Sequence, residues 1–189
     1  GGGAFWLLHR AEDGFQVMVD AREQAPAAAH RDMYLDAEGQ VNRDLAVNGP
    51  LAGGIPGEAA GLEHLAQHYG RLPLGISLQP AIRLAREGFP VDEKYHEMMG
   101  WRIEVIKRWP AAAAALLADG ENPPVGYVIK LPDPAGVLEG VAERGAAGFY
   151  SGSVAERVVM GVREAGGLWT LEDFAAYRVK ERAPIRTRY

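Results

Sequence analysis

The chain has 189 residues, of which 48% are apolar, enough for one domain with a core of its own, and a formal charge of −5. That acidic balance excludes the basic stripe of a nucleic-acid binder, and the absence of cysteine excludes a disulfide scaffold or a thiolate-ligated zinc. No apolar run approaches the roughly 20 residues a membrane span requires.

In chain order, "AFWLLHR" and "FQVMVDA" are two short apolar runs separated by "AEDG". The Asp13-Gly14 dipeptide between them predicts a β-hairpin. The runs are nearly continuous in apolar character, which predicts strands covered on both faces. A second turn is expected at Asp36–Gly39, and "LAVNGPLAGGIPG" reads as one long glycine-rich loop.

Beyond it the pattern turns helical. Leu62, Leu65, Ala66 and Tyr69 fall on one helix face that stops at Gly70. Pro80 is expected in the first turn of a helix that ends at Gly88. Asp92 is expected to cap a longer helix through Tyr95, Met99, Ile103 and Ile106, closed by Pro110 and weakened at Gly100. "GVLEGVAERG" reads as a short helix, and "SVAE" from Ser153 and "TLED" from Thr170 fit the capping-box pattern. "RAPIRTRY" reads as the opening of a strand. With "GGGAFWLL" at the other end, it predicts that 1–189 is a single domain segment of a longer protein.

Few residues offer chemistry. His64 and His68 stand four apart and share a helix face, but they are expected opposite Leu62, Leu65 and Tyr69. With no third ligand nearby in sequence, they read as a solvated polar face and no metal site is expected. "GGIPGE" places glycines before a helix, yet no lysine follows as a phosphate loop requires, so a tight turn is the better reading. Ser153 and Thr170 are explained as caps, and Ser151 lacks a nucleophile elbow. Arg22 and Glu23 interrupt "VDAREQAPAAA" where a strand ends and small residues begin. The pair reads either as a surface ion pair worth under about 1 kcal/mol or as a guanidinium fork aimed at an anionic ligand, with the small residues letting that ligand approach the backbone.

Several quoted segments, taken together, resemble the large subunit of γ-glutamyltranspeptidases. They are "GGGAFWLLHR", "DAREQAPAAAHRDMYLD", "GGIPGEAAGLEHLAQHYGRLPL", "LQPAIRLAREGFPV", "GFYSGSVAERVV" and "GGLWTLEDFAAYRVKERAPI", in the family's order over essentially the whole chain. The resemblance implies an α+β chain forming part of a four-layer αββα N-terminal-nucleophile hydrolase fold, here an N-terminal β-hairpin followed by a mainly helical region. It implies a precursor that cuts itself and a nucleophilic threonine in a small catalytic subunit, so no catalytic residue lies in this chain. The implied reaction cleaves the γ-glutamyl amide of glutathione or a related compound and passes the γ-glutamyl group to water or an acceptor amino acid. No cofactor is implied.

In the family the arginine of the R-E-x-A-P segment clamps the substrate's α-carboxylate, which places that role on Arg22, with Glu23 supporting the pocket. The implied partners are the small subunit and a γ-glutamyl compound, and the implied location is periplasmic or secreted. Departures from the family pattern fall at "GGGA", which replaces four glycines, and at Tyr127 and Leu131, where an Asp-x-Leu-x-Gln pattern is expected. The rival readings are a related acylase cleaving glutaryl or cephalosporin-type amides, and a non-catalytic scaffold.

Overall fold

The structure, a computed structural model, describes residues 2–188. The outermost residues of the "GGGA" and "RAPIRTRY" runs, Gly1 and Tyr189, lie outside the described residues. The chain divides into two compact units, one formed up to Ile76 together with the chain from Gly140 onward, the other Ser77–Glu139.

In the first unit, β1 (Ala4–Arg10) and β2 (Phe15–Ala21) form the expected hairpin, in register from Ala4 opposite Ala21 to Arg10 opposite Phe15. Its turn depends on Gly14, whose φ of 71° costs a glycine little, and on Asp13, whose carboxylate accepts the Phe15 N–H at 3.0 Å. β5 (Lys180–Arg182) pairs antiparallel on the other side of β2, so β2 is central. Its alternating Val17, Val19 and Ala21 are buried, as a half-buried strand requires.

The expectation that both strands are covered on both faces fails on β1. Only one set, including Trp6 and Leu8, is partly covered, while Leu7, which points to the opposite face of the sheet, is 71% exposed, the alternation of a strand covered on one face. The strand expected from "RAPIRTRY" is also corrected, since β5 ends at Arg182 and no regular element follows among the described residues.

The turn at Asp36–Gly39 is present, with the Asp36 carboxylate accepting the N–H groups of Glu38 and Gln40. The single long loop expected next is instead broken by α1 (Arg43–Val47), which the Asn42 side chain caps, and by a 3-10 turn at Pro50–Ala52. α2 (Glu58–His68) packs on the hairpin through Gly61, which sits against Trp6 and Ala21. No side chain caps its start; the Gly57 and Glu58 N–H groups donate to the Gly2 carbonyl. The N-terminal segment thus occupies the anion-binding end of the helix, consistent with a turn at "GGIPGE".

α3 (Leu74–Glu87) begins six residues before Pro80, so this proline lies inside the helix and not in its first turn. The helix tolerates it at the loss of one backbone donor and ends, as expected, at Gly88, whose φ is 99°. The second unit continues with β3 (Phe89–Pro90), paired with β4 (Val128–Ile129), and with α4 (Glu93–Ile106), which Asp92 caps through the Tyr95 N–H at 2.7 Å. Pro110 does not close α4; it opens α5 (Pro110–Leu116), where its missing N–H costs nothing. Tyr127 and Leu131 flank β4.

α6 (Pro132–Arg144) is longer than its glycine-flanked core suggested. Then come α7 (Ala147–Tyr150), α8 (Gly152–Glu164) and α9 (Leu171–Ala176). Thr170 and Asp173 form the expected capping box, but Ser153 does not. α8 starts one residue before Ser153, and the N-cap residue, Ser151, turns its hydroxyl back to the Ala147 carbonyl. The core of the first unit is aromatic. Phe174 is 1% exposed and is surrounded by Ile55, Ala155, Val159, Trp169 and Tyr177, with Phe149 and Tyr150 at its side.

Candidate functional site

At the end of β2 the chain turns through Arg22 and Glu23 into a cleft of about 640 Å³. One end is charged, with Arg22 and Glu23. The rest of its lining includes small and apolar groups, among them Ala25, Ala29, Met33 and Leu51. Every residue lining it belongs to the first unit. Beside the small residues of the cleft, glycines let the chain's own backbone segments pack closely. A Cβ on Gly3 would stand 2.6 Å from the Ala21 carbonyl, and one on Gly54 would stand 2.8 Å from the Glu23 Cβ.

Arg22 and Glu23 are brought together at this rim. Arg22 Nε lies 3.1 Å from Glu23 Oε2, and the guanidinium carbon lies 5.5 Å from the centre of the Phe5 ring. The Oε2 atom is shut off from solvent and takes no aligned hydrogen bond, so this is a charge contact and not a fork. The Arg22 side chain keeps 60% of its surface open, against 31% for Glu23. Glu23 thus meets the guanidinium at its Nε edge and the Phe5 ring lies beside its central carbon, while most of the side chain stays open to solvent. A guanidinium fork is the group that matches a carboxylate bidentately.

The backbone carrying this pair is tied down on every side. The Arg22 N–H donates to Asp20 at 3.1 Å, and the Tyr177 hydroxyl donates to the Arg22 carbonyl at 2.8 Å. Gln24 and Ile55 exchange both backbone bonds, 3.1 and 2.7 Å, and the Gln24 side chain reaches the Arg178 carbonyl. The Ala27 N–H donates to Asp173 at 2.8 Å. Elsewhere in the lining, the Trp169 indole donates to the Gly53 carbonyl and the Tyr34 hydroxyl to the Leu51 carbonyl. Tyr177, Tyr150, Trp169, Tyr34 and Asp173 were not singled out as site residues by the sequence. Only "TLED" signalled one of them, and as a helix cap.

His64 and His68 are not in the cleft. Their rings stack at 4.2 Å, and His64 Nε2 lies 2.8 Å from Glu181 on β5. The Tyr69 hydroxyl donates to the same carboxylate, so Tyr69 joins the histidines and does not oppose them; as the C-cap residue it has left the helical path. Among the described residues no group of three or more His, Asp or Glu side chains is placed to hold a metal ion, and no helix is long and apolar enough to cross a membrane.

The fold has close counterparts among solved structures. The γ-glutamyltranspeptidase of Helicobacter pylori superposes on all of this chain and 54% of its own with a TM-score of 0.95 at 34% identity. That of Pseudomonas nitroreducens does so with a TM-score of 0.91 at 33% identity, over 55% of its length. The chain therefore carries part of an N-terminal-nucleophile hydrolase fold. The family model for Gamma-glutamyltranspeptidase matches residues 1–189, and the chain belongs to that family. The glutathione hydrolase proenzyme of Escherichia coli is 37% identical over the whole chain, which spans only 33% of that relative. The chain spans about a third of the length of the curated relatives it matches.

Proposed function

We propose that this chain is the large-subunit portion of an enzyme that cleaves the γ-glutamyl amide of glutathione and related compounds. The γ-glutamyl group then passes to water or to an acceptor amino acid. Arg22 clamps the α-carboxylate of the γ-glutamyl group, and Glu23 holds the guanidinium at its Nε edge. The observation that carries this reading is the exposed Arg22 guanidinium fixed at the charged end of the cleft. Membership of the family and the name of the Escherichia coli relative support it.

The nucleophile, a threonine, comes from a small subunit cut from the same precursor. Its hydroxyl oxygen bonds to the γ-carbonyl carbon, the C–N bond breaks, and the amine leaves with a proton. Water or an acceptor amine then takes the acyl group and frees the threonine. The protein works in the periplasm or outside the cell.

The test is turnover of γ-glutamyl-p-nitroanilide by the full-length protein, wild type beside Arg22→Ala and Arg22→Lys. Loss of the charge-assisted contact should weaken donor binding by roughly ten- to a hundredfold, with self-cleavage of the precursor intact. Wild-type turnover that is indifferent to both changes removes Arg22 from the site. A wild type that releases a glutaryl amide but no γ-glutamyl amide is an acylase.

A further inference from the structure

We propose that Tyr177 is a positioning residue for Arg22, a role that rests on Arg22 being the carboxylate clamp. The buried aromatic core does more than fill space behind the cleft. Tyr177, Tyr150 and Trp169 each turn their one polar donor to a backbone carbonyl of a cleft-lining residue, namely Arg22 at 2.8 Å, Pro56 at 2.6 Å and Gly53 at 2.9 Å. Of the three, Tyr177 holds the residue that bears the charge.

Its ring cannot drift. It stacks on Tyr150 with centroids 5.6 Å apart and planes 7° from parallel, inside the cluster around Phe174, and it is 5% exposed. The hydroxyl also fits against Gly57, where a Cβ would overlap it. Burial, with Asp20 and Glu23 nearby, pushes the hydroxyl up to about 12, so it stays a protonated donor throughout the working range.

The consequence is mechanical. The Arg22 side chain leaves a backbone unit whose N–H is fixed by Asp20 and whose carbonyl is fixed by Tyr177. Without the hydroxyl, the carbonyl loses its buried donor and the peptide unit is free to rotate, carrying the base of the guanidinium with it. Glu23 and Phe5 would still hold the head, so the clamp is misaligned and not abolished.

The experiment uses the full-length, processed enzyme with γ-glutamyl-p-nitroanilide and compares wild type, Tyr177→Phe, Arg22→Ala and the double variant. Tyr177→Phe keeps the stacked ring and should raise KM by roughly three- to tenfold while kcat stays within about twofold. In the Arg22→Ala background the same change should leave KM where it is, since its effect passes through the arginine. Replacing Tyr177 by 4-aminophenylalanine, which restores a donor on the same ring, should return KM toward wild type. Equal KM effects with and without Arg22, or a fall in kcat alone, overturn the positioning role. If Tyr177→Phe yields no folded enzyme, the 4-aminophenylalanine variant decides, a raised KM there counting against the proposal. Should Arg22→Ala itself leave KM unchanged, it is the clamp reading that fails; a KM raised by Arg22→Ala but not by Tyr177→Phe refutes only the positioning role.

Discussion

Asp173 and Ala27, separated by 146 positions, are joined by one carboxylate. Asp173 Oδ2 accepts the N–H and hydroxyl of Thr170 at 3.0 and 2.9 Å, closing the capping box of α9. Its Oδ1 accepts the Ala27 N–H at 2.8 Å, anchoring the small-residue turn that lines the cleft. A single helix cap therefore also fixes the segment after the Arg22–Glu23 pair.

Removing that carboxylate should act twice. Asp173→Ala loses a capping interaction and a charge-assisted bond to Ala27, with an expected cost of about 1–3 kcal/mol. Asp173→Asn keeps a side-chain oxygen and should cost less. Denaturant midpoints of the two variants would separate them, and donor KM should rise only where the Ala27 bond is lost.

Gly61 is the point at which α2 meets the sheet. A Cβ there would overlap the Trp6 ring and stand 2.6 Å from the Ala21 Cβ. Gly61→Ala raises helix propensity but overpacks this contact, so the net result should be a destabilisation of about 1–3 kcal/mol. A thermal midpoint equal to or above wild type would show that the helix can lift off the hairpin without penalty.

The Glu181 carboxylate is held below its ordinary value of 4.5, first by the Tyr69 hydroxyl bond and then by His64. Its folded-state pKa is therefore depressed, so its stabilising contribution is fully present above about pH 4.5 and is lost as pH falls through the folded value. His64, His68 and Arg10 are the other charged or titratable groups near this contact. Glu181→Gln should flatten the acid limb of the stability curve, measured as urea midpoints at successive pH values. A limb that keeps its wild-type slope would assign the acid loss to other carboxylates.

Much of this architecture was legible in the chain. Asp13-Gly14 marked the hairpin, Asp92 and Thr170 marked helix starts, and Gly88 marked a helix end, because turns and caps are local events written in adjacent residues. The Arg22–Glu23 pair was visible as a charge break at a strand end. Pro80 misled, since a proline favours the first turn of a helix and is costly in its interior, and here the rest of α3 outweighs that local preference. Ser153 misled because Ser151 and Gly152 offered the helix an earlier start. The exposure of Leu7 was not legible, since an apolar side chain reads alike on a covered and on an open face of a sheet. The ties from Tyr177 to Arg22 and from Asp173 to Ala27 cross most of the chain, and no local pattern announces a contact of that span.

Gly54 gives the sharpest test of how closely the cleft is built. It precedes Ile55, which exchanges both backbone bonds with Gln24, and its Cα faces Glu23. A Cβ at Gly54 would lie 2.8 Å from the Glu23 Cβ and 3.2 Å from the Gln24 carbonyl oxygen. Neither neighbour is the free end of a flexible side chain, so Gly54→Ala must part the Gln24–Ile55 bridge or push Glu23 away from Arg22 Nε. The expected cost is about 1–3 kcal/mol in stability, together with a higher KM for a γ-glutamyl donor. Gly161→Ala is the matched comparison, because a Cβ on that residue of α8 meets nothing within 4 Å. There the same methyl should stabilise by about 0.5–1 kcal/mol through helix propensity alone and leave KM unchanged. If both glycines respond alike, the cleft wall yields more readily than its backbone contacts imply, and Glu23 is not held in place by the closeness of Gly54.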